Sequence, residues 1–314
     1  MSLPADNPLL ATDPLPAFSR IRPEHLEPAV DYLLRDNRRQ IEALLQDSGN
    51  YTWDNILGPL ENLHDRLNRA WSPASHLHAV QDNDQLRAAY NACLPKLSEY
   101  ATELGQHDGL YRAYAAVAAG PEYPALSQAQ RRIIEHALRD FRLSGIDLDA
   151  PSKQRFRAIQ QKLSRLQTKF EENVLDATNA FELIVTDKAD LAGIPEYAVQ
   201  AAEELAKSEG KEGYKFTLQF PSYFPVLQYA EKRELRETLY EAYAKRASEF
   251  GPAELDNTAL IRELLQLRLE EAQMLGYKNF GELSLVPKMA NTPDEVVNFL
   301  RELAMKAKIG RAHV

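Results

Sequence analysis

A chain of 314 residues with 44% hydrophobic and 26% charged residues is long and apolar enough for a substantial core, in one large domain or about two. Its 37 Lys and Arg against 46 Asp and Glu give a net charge of −9, with the basic residues scattered singly, a field that disfavours nucleic acid and anionic membranes as partners. Cys93 is the single cysteine, so neither an internal disulfide nor a Cys-based zinc site can form, which fits a reducing compartment. The start, Met1 to Pro8, lacks a basic region followed by an apolar core, and no apolar stretch approaches the ~20 residues of a spanning helix. A cytoplasmic protein is expected.

The helical period dominates the chain. Residues 1–20 hold Pro4, Pro8, Pro14 and Pro16 and read as an extended arm. After Pro23, the residues Leu26, Val30, Leu33, Leu34, Ile41, Leu44 and Leu45 fall on one face of a helix running to about Gln46. A second helix follows Thr52, whose hydroxyl can cap it, with Trp53, Ile56, Leu60, Leu63 and Leu67 inward. Helices over 82–104 and 109–119 come next. Another begins at Ser127, where Ser127 and Gln130 have the spacing of a capping box. The longest is expected over 149–180, with Ile159, Leu163, Leu166, Phe170 and Val174 on one stripe.

Further helices are predicted over 195–207, 224–248, 257–275 and 292–308. The last opens with Thr292 as cap, Pro293 at the first helical position and Glu295 completing a capping box. Two segments interrupt the pattern: 181–186 is rich in strand formers, and 214–220 alternates apolar and polar residues. A lone strand leaves its backbone groups unpaired, so the two are expected to pair with each other, with the helix from Pro195 inserted between them. The fold class is therefore all-α with one short two-stranded sheet. No fixed-period repeat suggests a solenoid.

A helical zinc hydrolase needs two imidazoles four residues apart with a carboxylate between them. The histidines are His25, His64, His76, His78, His107, His136 and His313, and no pair has that spacing. His76 and His78 are two apart, which on a helix points their rings to different sides. Cys93, between Ala92 and Leu94, reads as a buried apolar residue, and neither a G-x-S-x-G elbow nor a glycine-rich phosphate loop occurs. The pairs Glu171-Glu172 and Glu270-Glu271 point about 100° apart on a helix and read as solvated faces. Catalytic and metal-ligating residues are thus expected to be absent. The aromatic cluster Phe220-Pro221-Ser222-Tyr223-Phe224-Pro225 is the most unusual feature, readable as packing at a domain junction or as an apolar wall for a peptide.

Several stretches carry a family resemblance, in order along the chain from about Asn7 to Lys308. They are Trp71 to Leu77, Ala137 to Ile146, Asn173 to Thr178, Pro221 to Val226, Leu275-Gly276-Tyr277, and Ser284-Leu285 with Lys288-Met289-Ala290. Together they resemble the oligopeptidase A group of the thimet-oligopeptidase-like M3 zinc metallopeptidases. The resemblance implies a mostly helical, two-lobed body whose channel admits short unstructured peptides, including cleaved signal peptides, in a protein that is monomeric when full length. It implies a zinc held by a His-Glu-x-x-His helix and a later glutamate, beyond the residues present here, so this chain binds no metal and is expected to be inactive alone.

On that basis residues 21–220 correspond to the family's amino-terminal helical domain and 221–308 to the start of its catalytic domain. Tyr223 and Phe224 are candidates to line the substrate channel. The hexapeptide Ile309 to Val314 has no family counterpart and resembles translated sequencing-adapter DNA, so 309–314 is expected to be non-native and His313 without a role. The alternative is a stand-alone helical peptide-binding or scaffold module without catalysis. Such a module predicts a polar final helix, whereas this one carries Val296, Val297, Phe299, Leu300, Leu303 and Met305.

Overall fold

The computed structural model describes residues 6–11, 15–46 and 50–310, the side chains of 308–310 excepted. Pro4, Pro14 and the tail residues from Arg311, His313 included, lie outside the described residues. By compactness the chain divides into Met1–Arg165 with Leu267–Val314, and Leu166–Gln266.

In the first unit, a short turn at Pro8–Leu10 is capped by Asn7 and sinks Leu9 against the body. Helix α1, Pro23–Gln46, matches its expected bounds and buries Leu26, Val30, Leu33, Leu34 and Ile41. Thr52 caps the next segment reciprocally with Asn55, as a single π-helical turn, Trp53–Leu57, that leads into α2, Gly58–Val80. Ile56, Leu60 and Leu63 are buried there, while Trp53 and Leu67 are half-buried. Helices α3, Asp84–Gly105, and α4, Asp108–Ala119, follow. Helix α5, Gln128–Leu143, has both bonds of the Ser127–Gln130 capping box.

Two cores result. One joins α1, α2 and α3 through Leu26, Val30, Ala70, Ala74 and Cys93. The other joins α2, α4 and α5 through Leu60, Leu110, Tyr114, Ile134 and Phe141. The C-terminal ends of α3 and α5 approach so closely that a Cβ on Gly105 would meet the Ser144 side chain at 2.5 Å. Gln106 fastens this junction: its amide donates to the Ser144 carbonyl at 3.1 Å, and its side-chain oxygen accepts from Arg157 at 2.8 Å.

Helix α6, Ala150–Ala180, is the longest, as its stripe predicts, and the unit boundary falls within it. In the second unit, β1, Leu183–Val185, pairs antiparallel with β2, Tyr214–Phe216, and α7, Glu196–Ser208, lies between them in sequence. The second strand ends at Phe216, short of the expected 220. The Ser222 hydroxyl takes the Thr217 N–H at 3.0 Å, and Phe220 already begins a helix.

The helix expected over 224–248 is two helices: α8, Phe220–Tyr229, and α9, Arg233–Ala244. Ala230 turns extended, and the next N–H, that of Glu231, donates to the Ala192 carbonyl at 2.8 Å. Arg236 reaches back to the carbonyls of Ala230 and Glu231. The loop supplying Ala192 fits because Gly193 has φ +85° and no side chain; a Cβ there would meet the Tyr229 carbonyl oxygen at 2.2 Å. This break is a tertiary event that the local period does not report.

Helix α10, Thr258–Met274, crosses back into the first unit. A six-residue helix that the periodicity misses, α11, Phe280–Leu285, is capped by Asn279 and precedes α12, Pro293–Gly310. Thr292 caps α12 as expected, but the Glu295 carboxylate accepts from the Asn291 N–H, at 2.8 Å. The outer face of α12 exposes Val297, Phe299, Leu300, Leu303 and Met305, and nearby in sequence Met289 is 99% exposed.

Candidate functional site

The aromatic segment Phe220–Pro225 forms the first turns of α8, opened by Pro221 at a position where a missing N–H costs nothing. Helical geometry sends its aromatics to opposite sides. Tyr223 is 7% exposed and stacks on Tyr243 of α9, with ring centroids 4.2 Å apart. The Arg246 guanidinium covers the Tyr243 ring at 3.6 Å and donates to the Thr178 hydroxyl at 2.8 Å, tying α9 to α6. Phe220 and Phe224, one turn apart, stack on each other at 4.8 Å and are 64% and 44% exposed. Of the two residues singled out by sequence, Phe224 presents a ring to the outside and Tyr223 is part of the core beneath it. Phe220, absent from the sequence candidates, extends the exposed ring surface; its spacing of four from Phe224 was the available signal.

The imidazoles are dispersed. His78 is buried, stacks on Tyr90 at 4.1 Å and faces Asp82 at 3.7 Å, while exposed His76 meets Phe18 edge-on, so the two rings do take different sides of α2. His25 accepts the Arg22 N–H, and His107 caps α4 by accepting from Leu110. Among the described residues no group of three or more His, Cys, Asp or Glu side chains could hold a metal ion. The donor set here therefore does not fit the zinc that the family resemblance implies. Cys93 is fully buried, and desolvation pushes its thiol up to about 12, which suppresses the reactive thiolate.

The paired glutamates depart from the expected solvated faces. Glu171 is exposed but Glu172 is 5% exposed. Glu270 accepts two hydrogen bonds from Arg155 at 2.6 Å each. Glu271, half-buried, accepts from Gln160 at 2.8 Å, and desolvation holds its carboxyl above the usual range. The angular offset that argued for solvent instead turns one member of each pair inward.

Residues 30–153 match the N-terminal domain of neurolysin and thimet oligopeptidase, and residues 226–310 match peptidase family M3. With the helical fold and the one two-stranded sheet among the described residues, these matches place the chain in the M3 peptidase family. It is 50% identical to oligopeptidase A of Haemophilus influenzae, across 96% of this chain and 44% of that protein. It is 46% identical to oligopeptidase A of Escherichia coli, across 96% of this chain and 45% of that one. A probable cytosolic oligopeptidase A of Arabidopsis thaliana is 38% identical, across 95% of this chain and 43% of its own length. The chain thus spans less than half the length of these curated relatives. No helix among the described residues is long and apolar enough to cross a membrane.

Proposed function

We propose that this chain forms the amino-terminal part of a zinc oligopeptidase that hydrolyses short cytosolic peptides, cleaved signal peptides among them. The observation that carries this reading is the likeness to oligopeptidase A along 96% of the chain, coupled with coverage of only 44% of that relative. Residues 21–220 supply the amino-terminal helical domain, and the catalytic domain begins at about residue 221, the family M3 match running on to residue 310. The zinc and the base that activates its water belong to polypeptide outside these residues, so no chemical step is assigned to this chain. Its contribution is to wall the peptide channel. Phe224 offers an exposed apolar face for peptide side chains, and Tyr223 holds α8 in place from beneath. The whole protein works as a monomer in the cytoplasm, on peptides and not on nucleic acid or membranes.

The test is a quenched fluorescent peptide incubated with the purified 314-residue chain and added zinc, alongside resequencing of the locus. No chelator-sensitive cleavage is expected, together with a reading frame that continues to a His-Glu-x-x-His motif. Cleavage by this chain alone would place the chemistry within it, and a true stop codon after Val314 would overturn its reading as part of a longer enzyme.

A further inference from the structure

A cavity of about 360 Å³ opens on the first unit where α2, α4 and α5 meet, and neither the family matches nor the proposed peptide channel accounts for it. Its floor is apolar: Leu60, Leu110, Tyr114 and Phe141 line it and are all under 9% exposed. The volume lies at the lower end of small-molecule sites, roughly 300–1,000 Å³. The back wall is the close Gly105–Ser144 approach that Gln106 fastens.

The polar lining is sparse and directional. Helical spacing brings Glu61 and His64 to the cavity from α2, and His136 and Asp140 from α5. Asp140 is matched by Arg139 at 2.8 Å. Glu61 makes no ion pair or hydrogen bond among the described residues. The Tyr114 side chain is 4% exposed, and its hydroxyl, which is not among the enclosed polar atoms, bonds to no protein group among the described residues. Among the described residues its ring partner is Phe141, edge-on at 5.6 Å. Glu61 is close enough for its charge to bear on both Tyr114 and His64. A carboxylate without a counter-ion and a hydroxyl without a partner thus converge over an apolar floor.

We propose that this cavity binds a small primary ammonium ion carrying one apolar group about the size of a phenyl ring. The ammonium sits between the Glu61 carboxylate and the Tyr114 hydroxyl, and the apolar body rests on Leu110 and Phe141. Charge decides the class: the uncompensated Glu61 carboxylate repels an anion, and a neutral apolar ligand would leave Glu61 and the Tyr114 hydroxyl unmatched. Desolvation shifts His64 toward its neutral form, against the pull of the Glu61 charge. The same ammonium chemistry is presented by a free aralkylamine and by the amino terminus of a peptide beginning with an aromatic residue. The inference is independent of the proposed peptidase role.

The experiment titrates the whole chain with phenethylamine and with 3-phenylpropionate, a near-isosteric anion, at pH 8, where an ordinary imidazole is neutral. Backbone amide NMR shifts of residues in α2, α4 and α5 give the affinity. Saturable shifts by the amine are expected, with the anion at least tenfold weaker. Glu61→Gln is expected to weaken the amine at least fivefold, and Tyr114→Phe about twofold or more. Phe-Gly-Gly and its N-acetyl form distinguish the sources: tighter binding of the free tripeptide than of phenethylamine assigns a peptide amino terminus, and binding of phenethylamine alone assigns a free amine. Equal affinity for amine and anion overturns the proposal. So does the absence of saturable shifts, or unchanged amine affinity in a folded Glu61→Gln protein. If Glu61→Gln does not fold, the Tyr114→Phe affinity and the amine-to-anion ratio on the unaltered chain decide in the same sense.

Discussion

Asn173 of α6 donates its side-chain amide to the side-chain oxygen of Asn257 at 2.8 Å, and Asn257 donates in turn to the Phe170 carbonyl at 3.1 Å. Both residues are almost wholly buried, so this short relay joins the long helix to the residue preceding α10 in the interior. The Phe170 carbonyl fixes the orientation of the Asn257 amide, and through it that of Asn173. Asn257→Leu strands the buried Asn173 donor and is expected to destabilise the second unit by about 2–4 kcal/mol. Replacing both residues by leucine recovers part of that loss, because no donor is then left alone. Urea unfolding of the two single variants and the double variant checks the cycle. Additive losses would show that the relay contributes nothing as a pair.

Tyr223 and Phe224 are adjacent in sequence and should separate in their effects. Tyr223→Ala removes a buried ring from the stack on Tyr243 and is expected to cost about 3–5 kcal/mol. Phe224→Ala changes an exposed ring and is expected to alter stability by about 1 kcal/mol or less. If Phe224 also faces bound peptide, its alanine variant weakens peptide binding while its melting midpoint stays near that of the parent.

The Glu271 carboxyl is held above its usual pKa by desolvation, which outweighs the Gln160 hydrogen bond that favours the charged form. A folded pKa above the unfolded one means that the folded state holds its proton more tightly. The corresponding stability is full below the unfolded pKa and is lost as pH rises through the folded one. Glu271→Gln, which can still accept from Gln160, should therefore raise the melting midpoint at pH 7 relative to the parent. The difference should vanish near pH 4. Calorimetric scans across that range provide the measurement, and a gain that persists undiminished at low pH would assign the effect to packing.

The exposed apolar face of α12 predicts self-association of the isolated chain. Replacing Phe299 with Lys and Leu303 with Glu should reduce dye binding to apolar surface and raise the solubility limit. Helix content should be unchanged, since both new residues are good helix formers. Sedimentation velocity before and after substitution reads the result directly. A monomeric parent chain would remove the basis for this expectation.

Much of the architecture is legible in local chemistry. The ends of α1 lie at Pro23 and Gln46 as the apolar period indicates, and Thr52, Ser127 and Thr292 cap the segments their spacing marks. Capping and periodicity are properties of a few neighbouring residues, so a single chain displays them without reference to its fold. The strand pair is likewise legible in its two β-rich segments, although β2 is only three residues long because a serine hydroxyl takes the next N–H.

The absence of a His-Glu-x-x-His pair, and of any second cysteine, is determined by the sequence alone, because ligand spacing on a helix is a matter of counting. Tertiary contacts decided the rest. The helix expected over 224–248 breaks at Ala230 because Glu231 bonds to a loop nearly forty residues earlier. Of two adjacent glutamates, burial selects Glu172 and Glu271. Tyr223 turns inward while Phe224 turns out. The Glu61–Tyr114 cavity is likewise invisible in one dimension, since its residues come from four helices and its chemistry lies in what those side chains leave unmatched. A local period records which face of a helix is apolar; which neighbour covers that face depends on the path of the whole chain.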